Sequence, residues 1–389
     1  MSAEMAGRAT KKSLVIGIDF GTTFTGVAWA IVDDQKNVHV ISAWPGSGNR
    51  TSVKIPTVMG FLEGRFLWGW QALSLAPEPI RGVKLLLDES QSHRYSPSLQ
   101  ASKLLRVMKK SPIDIASDYL KKALKHTHEI LERRLGPAFK EKDRKYVLTV
   151  PAVWSDKAKD NTLKVAIGAG IPEHQLALLS EPEAAALYTL QAIQPNTIKR
   201  NDTFVICDAG GGTVDIISYR VRDLSPLSLE EVVEGTGGVC GSMVLDELFE
   251  RFLEKLVGFE AFELFSNRTR DDALRYWQDT IKVQFTGTEC EDEFDYIGWR
   301  LPLPGVMDNP EIELEGGYLQ LTKSQIQGIF DPPVQDVLNL VHNQVRRIKV
   351  AGLPLQAIRL VGGFGGCEYL YRRLRRAHPR ITVTQPPDA

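Results

Sequence analysis

The segment VIGIDFGTTFTGVA, residues 15–28, decides the fold because it describes a complete small unit of structure. An apolar, β-branched segment is followed by a short polar turn and a second apolar segment, which is typical of a β-hairpin. The turn carries the carboxylate of Asp19 and the hydroxyls of Thr22 and Thr23. Gly21 lets the backbone approach a ligand closely. The segment therefore predicts a hairpin whose turn can hold a phosphate group.

A second segment of the same kind, FVICDAGGGTVDII, occupies residues 204–217. Asp208 stands where Asp19 stands in the first copy, and the glycines 210–212 and Thr213 follow it. A carboxylate at a strand end beside flexible glycines can hold a hydrated Mg²⁺ that bridges phosphates. One Asp-Gly turn alone would be interpreted as an ordinary hairpin turn. The duplication therefore carries the prediction of a phosphate clamp made of two hairpin turns.

Length, charge and cysteine usage restrict the class of protein. A chain of 389 residues suits two to four domains or subdomains. The net charge of -1 gives no basic field for nucleic acid, and no apolar run approaches the roughly 20 residues of a membrane helix. The four cysteines lack CxxC spacing, so neither a zinc site nor a disulfide framework is expected. We expect a cytoplasmic or nuclear protein without nucleic-acid or membrane partners.

The remaining pattern alternates strands and helices, which is typical of an α/β fold. In the first half we expect strands at 38–42, 146–150 and 176–179, and helices at 115–135, 156–169 (capped by Ser155) and 183–191. In the second half we expect a hairpin at 203–221 and strands at 229–234, 357–361 and 381–384. The helices expected there are 243–256, 271–285, 322–350 (broken near the prolines at 332 and 333) and 369–377. Two segments, 43–112 and 294–314, show weak periodicity and are predicted to be inserted subdomains outside the main sheets.

Two further glycine clusters, 235–242 and 362–366, follow predicted strands. Each can be a loop that passes close to the sugar or base of a nucleotide, or simply a flexible connection. The sequence contains neither a Walker A motif nor a GxGxxG motif. Phosphate binding, if present, must therefore use the hairpin turns.

Five segments, taken together, resemble the ATPase domain of the heat shock protein 70 family, within the actin–sugar kinase superfamily. They are GIDFGTTFTGVA, YVLTVPAVWSD, LLSEPEAAALY, CDAGGGTVDI and RLVGGFGGCEYL, and they occur in the family's order and spacing. The GGF form of the last motif, with KLLLD at 84–88, is similar to the divergent heat-shock-70-like branch. The resemblance covers roughly residues 14–388.

The resemblance implies two ribonuclease-H-like (actin-like ATPase) lobes around a central nucleotide cleft, each with an inserted subdomain. Its implied divisions are a disordered tail at 1–12, a lobe I core at 13–42 and 115–191 with an insertion at 43–114, a lobe II core at 201–235 and 320–375 with an insertion at 236–319, and a truncated C-terminal end at 376–389.

The resemblance also implies a site for ATP or ADP with Mg²⁺. Its catalytic residues correspond to Lys84, Glu181, Thr213 and Asp208, and its metal residues to Asp19 and Asp208. Its nucleotide-binding residues correspond to Gly21, Thr22, Thr23, Phe24, Gly210, Gly211, Gly212, Gly241, Asp279, Lys282, Thr286, Gly362, Gly363 and Phe364. The alternative to a catalytic role is, for Lys84, that it is an ordinary surface lysine. For Glu181 the alternative is that it is only an acidic residue at the start of a helix.

The adenine side departs from the family pattern. Val283 and Gly366 stand where the family has arginines that stack on the base. Loss of both guanidinium planes removes stacking and cation–π contacts. We expect weaker adenine affinity, or a replacement contact from Phe364 or Tyr369, whose alternative role is core packing.

The resemblance implies a slow, weak ATPase of the chaperone type that lacks a client-binding domain. Its partners would be the nucleotide and, through other chains, unfolded clients or co-chaperones. Two alternatives stay open. One is a nucleotide-binding regulatory module or pseudo-ATPase, and the other is a small-metabolite kinase of the same superfamily.

Overall fold

Both predicted hairpins form, and each starts a sheet of the same strand order. The computed structural model describes residues 13–32, 37–48, 51–88, 96–193, 198–287 and 298–386. The chain divides into two compact units, Met1–Ala184 and Ala185–Ala389. The predicted tail at 1–12, Cys290 and residues 387–389 lie outside the described residues.

Eight strands lie within the described residues of the first half of the chain. They are β1 (Leu14–Phe20), β2 (Phe24–Ile31), β3 (His39–Val40), β4 (Lys54–Pro56), β5 (Met59–Leu62), β6 (Arg65–Trp68), β7 (Arg144–Val150) and β8 (Leu176–Ser180). The helices are α1 (Gly69–Leu75), α2 (Ser96–Val107), α3 (Pro112–Leu135), α4 (Ala138–Glu141), α5 (Asp156–Gly168) and α6 (Glu181–Ile193), with short 3₁₀ helices at Val83–Leu87 and Glu173–Gln175.

The part of the second half that the structure describes has a further eight strands. They are β9 (Thr203–Ala209), β10 (Val214–Leu224), β11 (Leu227–Gly238), β12 (Trp299–Pro302), β13 (Leu314–Glu315), β14 (Tyr318–Leu321), β15 (Leu355–Val361) and β16 (Thr382–Thr384). The helices are α7 (Ser242–Val257), α8 (Phe259–Glu263), α9 (Asn267–Tyr276), α10 (Lys282–Gln284), α11 (Lys323–Val350) and α12 (Glu368–Ala377), with a π-helical turn at Trp277–Ile281 and a 3₁₀ turn at Pro310–Ile312.

The two main sheets repeat one topology. The first has the order β3-β2-β1-β7-β8 and the second the order β11-β10-β9-β15-β16. In both, the first three strands are antiparallel neighbours and the last two run parallel to the central strand. Each sheet packs in a separate core of buried apolar side chains. This mixed α/β architecture is compatible with an actin-like ATPase fold.

Local signals placed several helices correctly. The Ser111 hydroxyl accepts from the Asp114 amide, and the Asp114 carboxylate accepts from the Ser111 amide, so a capping box starts α3. Ser155 caps α5 as predicted, because its hydroxyl accepts from the Ala158 amide. Within the described residues, no helix has the length and apolar content needed to cross a membrane.

The prediction that residues 43–112 stay outside the main sheet was wrong in one place. Strand β4 pairs with β2, and Thr25 lies opposite Ile55. Strand β3 pairs only with the Ala28 end of β2, so the other end of that edge has backbone groups that need partners. Strand β4 supplies them.

In two places the structure has a continuous helix or strand where the sequence predicted a break or a loop. Helix α11 continues through Pro332 and Pro333. A proline inside a helix loses one hydrogen bond and crowds the carbonyl four residues earlier, but its φ is helical. Burial of the flanking Phe330 and Val334 in the core offsets this cost. The glycines at 235–238 belong to β11 and pair with β10. The predicted loop is therefore confined to the few residues before α7.

Candidate functional site

The first turn is built around Gly21. Its amide donates to the Phe24 carbonyl at 3.1 Å. A Cβ atom on Gly21 would lie 2.3 Å from the same carbonyl oxygen, so only glycine fits. The Thr23 carbonyl accepts from the Thr57 amide at 2.8 Å, just beyond β4. The turn backbone is thus held from inside and from β4, with Thr22 buried.

The Asp19 carboxylate, at the end of β1, has two partners that the sequence did not indicate. Lys54 donates from Nζ to Oδ2 at 2.8 Å, and the Thr149 hydroxyl lies 3.4 Å from Oδ1. Lys54 and Asp19 are both about half-exposed. Pairing of β4 with β2 brings the lysine there, and that pairing is a tertiary contact without a local sequence signal.

Lys84 and Glu181 form a buried ion pair in the same unit. Lys84 lies in the 3₁₀ helix after β6 and is 3% exposed, and its ammonium donates to Glu181 Oε1. Glu181 is the first residue of α6 and is 17% exposed. The Lys84 ammonium also lies 5.5 Å from the centre of the Trp154 ring. The alternative of a surface lysine is therefore excluded.

The charges around Glu181 determine its protonation. Burial raises the pKa of Glu181, the Lys84 ammonium lowers it, and the Asp19 carboxylate raises it further. The net direction is upward. A carboxyl group with a raised pKa is suited to accept a proton from water near neutral pH. Asp19, Glu181 and Lys84 were predicted separately, and unit 1 brings them into one electrostatic cluster.

The second turn lies against the start of α7. The Gly210 amide donates to the Thr213 carbonyl at 2.9 Å, which closes the turn. Gly241 donates to the Gly212 carbonyl at 3.3 Å, Ser242 to Gly210 at 3.1 Å and Met243 to Gly211 at 2.9 Å. Amides at a helix start lack partners within the helix. The glycine turn satisfies them, so α7 holds its backbone in place.

Gly241 also packs closely against the glycine turn. A Cβ atom there would lie 2.4 Å from the Gly211 carbonyl oxygen and 2.7 Å from that of Gly210. We expect Gly241→Ala to lower the free energy of unfolding by about 1–3 kcal/mol, because the turn must shift away from α7. Urea unfolding followed by circular dichroism measures the change.

The matched control for that substitution is Gly328→Ala. Gly328 is helical, and a Cβ atom there would meet nothing within 4 Å. It should be neutral or stabilising by up to about 1 kcal/mol. Equal losses for the two variants would contradict the role assigned to Gly241.

Asp208 lies against the glycine loop that follows β15. Strands β9 and β15 run parallel with Asp208 opposite Val361. Gly362 has φ +86°, and a Cβ atom on it would lie 2.5 Å from Asp208 Oδ1. The amides of Phe364 and Gly365 donate to the Ala209 carbonyl at 2.8 and 3.0 Å. Unit 2 thus brings Asp208, the glycine turn with the buried Thr213, and the 362–366 loop together.

One predicted adenosine residue, Lys282, pairs with an aspartate that the sequence did not single out. Asp246 of α7 accepts from Lys282 Nζ at 2.7 Å, from Trp277 Nε1 at 2.9 Å and from Gln278 Nε2 at 3.0 Å. Lys282 is therefore held by a structural ion pair. Asp279 is exposed, and Val283 is 70% exposed.

The proposed replacement contact from Phe364 or Tyr369 was wrong for this structure. Phe364 is 2% exposed and Tyr369 is 5% exposed. The Tyr369 ring packs 5.0 Å from that of Phe285, and its hydroxyl donates to Asp331 at 2.6 Å. Both rings are buried in the unit 2 core, so neither is open to a base. Their alternative role, core packing, is the one that the structure shows.

The donor set fits Mg²⁺ only as a water-rich ion. Across the described ranges, no group of three or more His, Cys, Asp or Glu side chains is placed to hold a metal. Mg²⁺ usually binds one or two carboxylates, several waters and substrate phosphates. Asp208 suits that role. At Asp19 the Lys54 ammonium already contacts Oδ2.

Comparison with known proteins agrees with the motifs. No family model matches the chain. Heat shock 70 kDa protein 12A of Homo sapiens is 28% identical over 453 aligned residues, covering 94% of this chain and 65% of the relative. Heat shock 70 kDa protein 12B of Homo sapiens is 24% identical over the same shares. The Chaperone protein HscA homolog of Vibrio campbellii is 29% identical, over 74% of this chain and 44% of that protein.

The chain spans less than two thirds of the length of these relatives. The resemblance inferred from five short motifs is confirmed over nearly the whole chain. The protein is a divergent relative of the heat shock protein 70 family.

Proposed function

We propose, on the premise of this divergent heat shock protein 70 relationship, that the chain binds ATP or ADP with Mg²⁺ and hydrolyses ATP slowly. One observation carries the proposal. Two sheets of identical strand order each place an aspartate, Asp19 or Asp208, next to the last residue of the central strand, and a glycine turn closed by a backbone hydrogen bond follows. Such turns present backbone amides to phosphate oxygens.

The proposed hydrolytic step uses Glu181 and its partner Lys84, together with Thr213. Water attacks the γ-phosphorus, the bond to the β-γ bridging oxygen breaks, and ADP leaves with the bridging oxygen. Glu181 accepts the proton of the attacking water, and the Lys84 ammonium offsets charge that develops on the phosphoryl oxygens. Thr213 would donate from its hydroxyl to the γ-phosphate. Bound Mg²⁺ would neutralise phosphate charge.

The chaperone assignment is also part of the proposal. A relative at 29% identity is named as a chaperone protein, and we propose a cytoplasmic or nuclear chaperone-type role with clients or co-chaperones as partners. Suppression of the aggregation of an unfolded protein tests it. An intact ATPase without such an effect would contradict the chaperone role and leave nucleotide binding unaffected.

Nucleotide binding is tested by isothermal titration with ATP and with ADP, in the presence of Mg²⁺. We expect Asp208→Asn to keep nucleotide binding and to lower the rate of phosphate release at least about tenfold, because it removes the charge that would hold the hydrated ion beside the γ-phosphate. The control is Asp223→Asn. Asp223 is an exposed carboxylate near the end of β10 that is far from the glycine turn. Wild-type affinity weaker than millimolar for both nucleotides would refute the proposal.

Hydrolysis is tested separately. Glu181→Gln should keep nucleotide binding and lower the rate of phosphate release by a factor of about 10²–10⁴, the usual contribution of a general base. Binding without any Glu181-dependent hydrolysis would instead indicate a regulatory nucleotide-binding module.

A further inference from the structure

The Lys54 side chain reaches the phosphate turn along a path that the sheet prepares for it. Asp19 lies opposite Gly26 in the β1–β2 pair, and Gly26 lies opposite Lys54 in the β2–β4 pair. The three residues therefore form one line across three strands. A Cβ atom on Gly26 would lie 3.4 to 3.8 Å from Cγ, Cδ and Cε of Lys54. The lysine stem passes over the bare glycine and ends 2.8 Å from Asp19.

The strand that carries Lys54 is fixed along the whole turn. Pro56 lies opposite Phe24, and the Thr57 amide donates to the Thr23 carbonyl. The ammonium is thus positioned beside the turn, while the side chain keeps 47% of its surface exposed. It is accessible to an anion that approaches the turn from solvent.

The negative charges around Asp19 are already balanced by positive charges, unlike those of a site that awaits a cation. Asp19 and Glu181 supply two negative charges, and Lys54 and Lys84 supply two positive charges. Both Asp19 and Lys54 act electrostatically on Glu181, in opposite directions. A divalent ion brought to Asp19 would enter a cluster that is already neutral and would be repelled by the nearby ammonium.

We propose that Lys54 is a nucleotide-binding residue whose ammonium bridges Asp19 and a phosphate oxygen, so that nucleotide binding by this chain depends little on Mg²⁺. The inference rests on the proposed function and concerns the same turn. An ammonium has three donors and can contact a carboxylate and a phosphate at once. Charge-assisted contacts of this kind are among the stronger hydrogen bonds.

The experiment measures ADP affinity with Mg²⁺ and with EDTA. In the wild type, EDTA should weaken binding by less than about threefold. In Lys54→Met, EDTA should weaken binding by more than about tenfold, because Asp19 then needs the metal to offset its charge near the phosphates. Lys54→Arg keeps a cation on the same strand and should retain a ratio close to that of the wild type.

Lys164→Met is the matched control. Lys164 forms an ion pair with Asp160 at 2.6 Å in α5 and has similar exposure. The control should keep the wild-type ratio, and thermal unfolding of each variant shows whether it is folded.

Two outcomes separate the inference from the proposal on which it rests. If ADP binds but Lys54→Met and the wild type respond equally to EDTA, or the wild type itself loses more than about tenfold in affinity, the role of Lys54 is refuted and the nucleotide site stands. If the wild type binds ADP under neither condition, both are refuted.

Discussion

Replacing Lys84 with methionine should lower the free energy of unfolding by about 3–5 kcal/mol, the usual cost of removing one partner from a buried ion pair. Lys84 is 3% exposed and Glu181 is 17% exposed. Methionine fills much of the same volume, so the loss arises mainly from the carboxylate that stays behind without its cation. This is the largest effect on stability that we expect from a single charged residue here.

The loss should depend on pH in a defined direction. Burial already raises the pKa of Glu181 above its ordinary value of 4.5, against the effect of Lys84. A raised pKa in the folded state means that the folded protein binds this proton more tightly than the unfolded chain. Stability from this group is therefore fully present below the ordinary value and is lost as pH rises through the folded pKa. Without Lys84 the folded pKa rises further, so the deficit should be larger at pH 8 than at pH 5.

Trp154 provides a local measurement, because its ring lies 5.5 Å from Lys84 Nζ. Urea unfolding can be followed by tryptophan fluorescence at several pH values. In the double variant Lys84→Met with Glu181→Gln, the buried charge is absent, and we expect most of the stability and the pH dependence to return toward wild type. A deficit that is equal at all pH values, or that persists in the double variant, would contradict a charge-based explanation.

Gly362→Ala should strongly disrupt the glycine turn that follows β9. Its Cβ atom would lie 2.5 Å from Asp208 Oδ1 and 2.5 Å from the Ala209 carbonyl oxygen, at φ +86°. We expect a loss of about 3 kcal/mol from the positive φ and the overlap together. Because the Ala209 carbonyl and the turn backbone that follows it must move, ADP affinity should also fall by at least about tenfold.

Gly352→Ala separates the two contributions to that loss. Gly352 also has a positive φ, +69°, but a Cβ atom there would meet nothing within 4 Å. It should cost about 1 kcal/mol and leave ADP affinity unchanged. Urea unfolding and ADP titration of both variants measure the two effects. Equal losses of stability and of ADP affinity in the two variants would mean that the close approach of Gly362 to Asp208 has no functional consequence.

Much of the fold could be predicted because its signals are local. Alternating apolar residues in 14–20 predict a strand with one buried face, and β1 is buried at every second position. Helix α3 ends at Leu135, the predicted last residue, directly before Gly136. Ser155 caps α5 through a residue only three positions away. These choices depend on backbone preference and on neighbours within one turn of chain.

Other features were missed or mispredicted because they depend on distant neighbours. Phe364 looks like a loop aromatic beside a ligand, but the unit 2 core buries it. Lys282 is predicted to bind adenosine, and its ion pair with Asp246 of another helix had no signal in the sequence. Each has a clear physical cause that is visible only when separate elements pack together.

The sequence by itself determined the two hairpin turns, because a strand, an aspartate and a glycine turn are specified by adjacent residues. The tertiary structure decided which charges surround them. Lys54 reaches Asp19 over 35 positions of sequence, and Lys84 reaches Glu181 over 97. Such pairs form only after strand register and core packing have fixed both backbones, since no local preference brings two distant charged side chains to one point. The turns are thus encoded locally, and the electrostatic environment in which they would act is set by the fold.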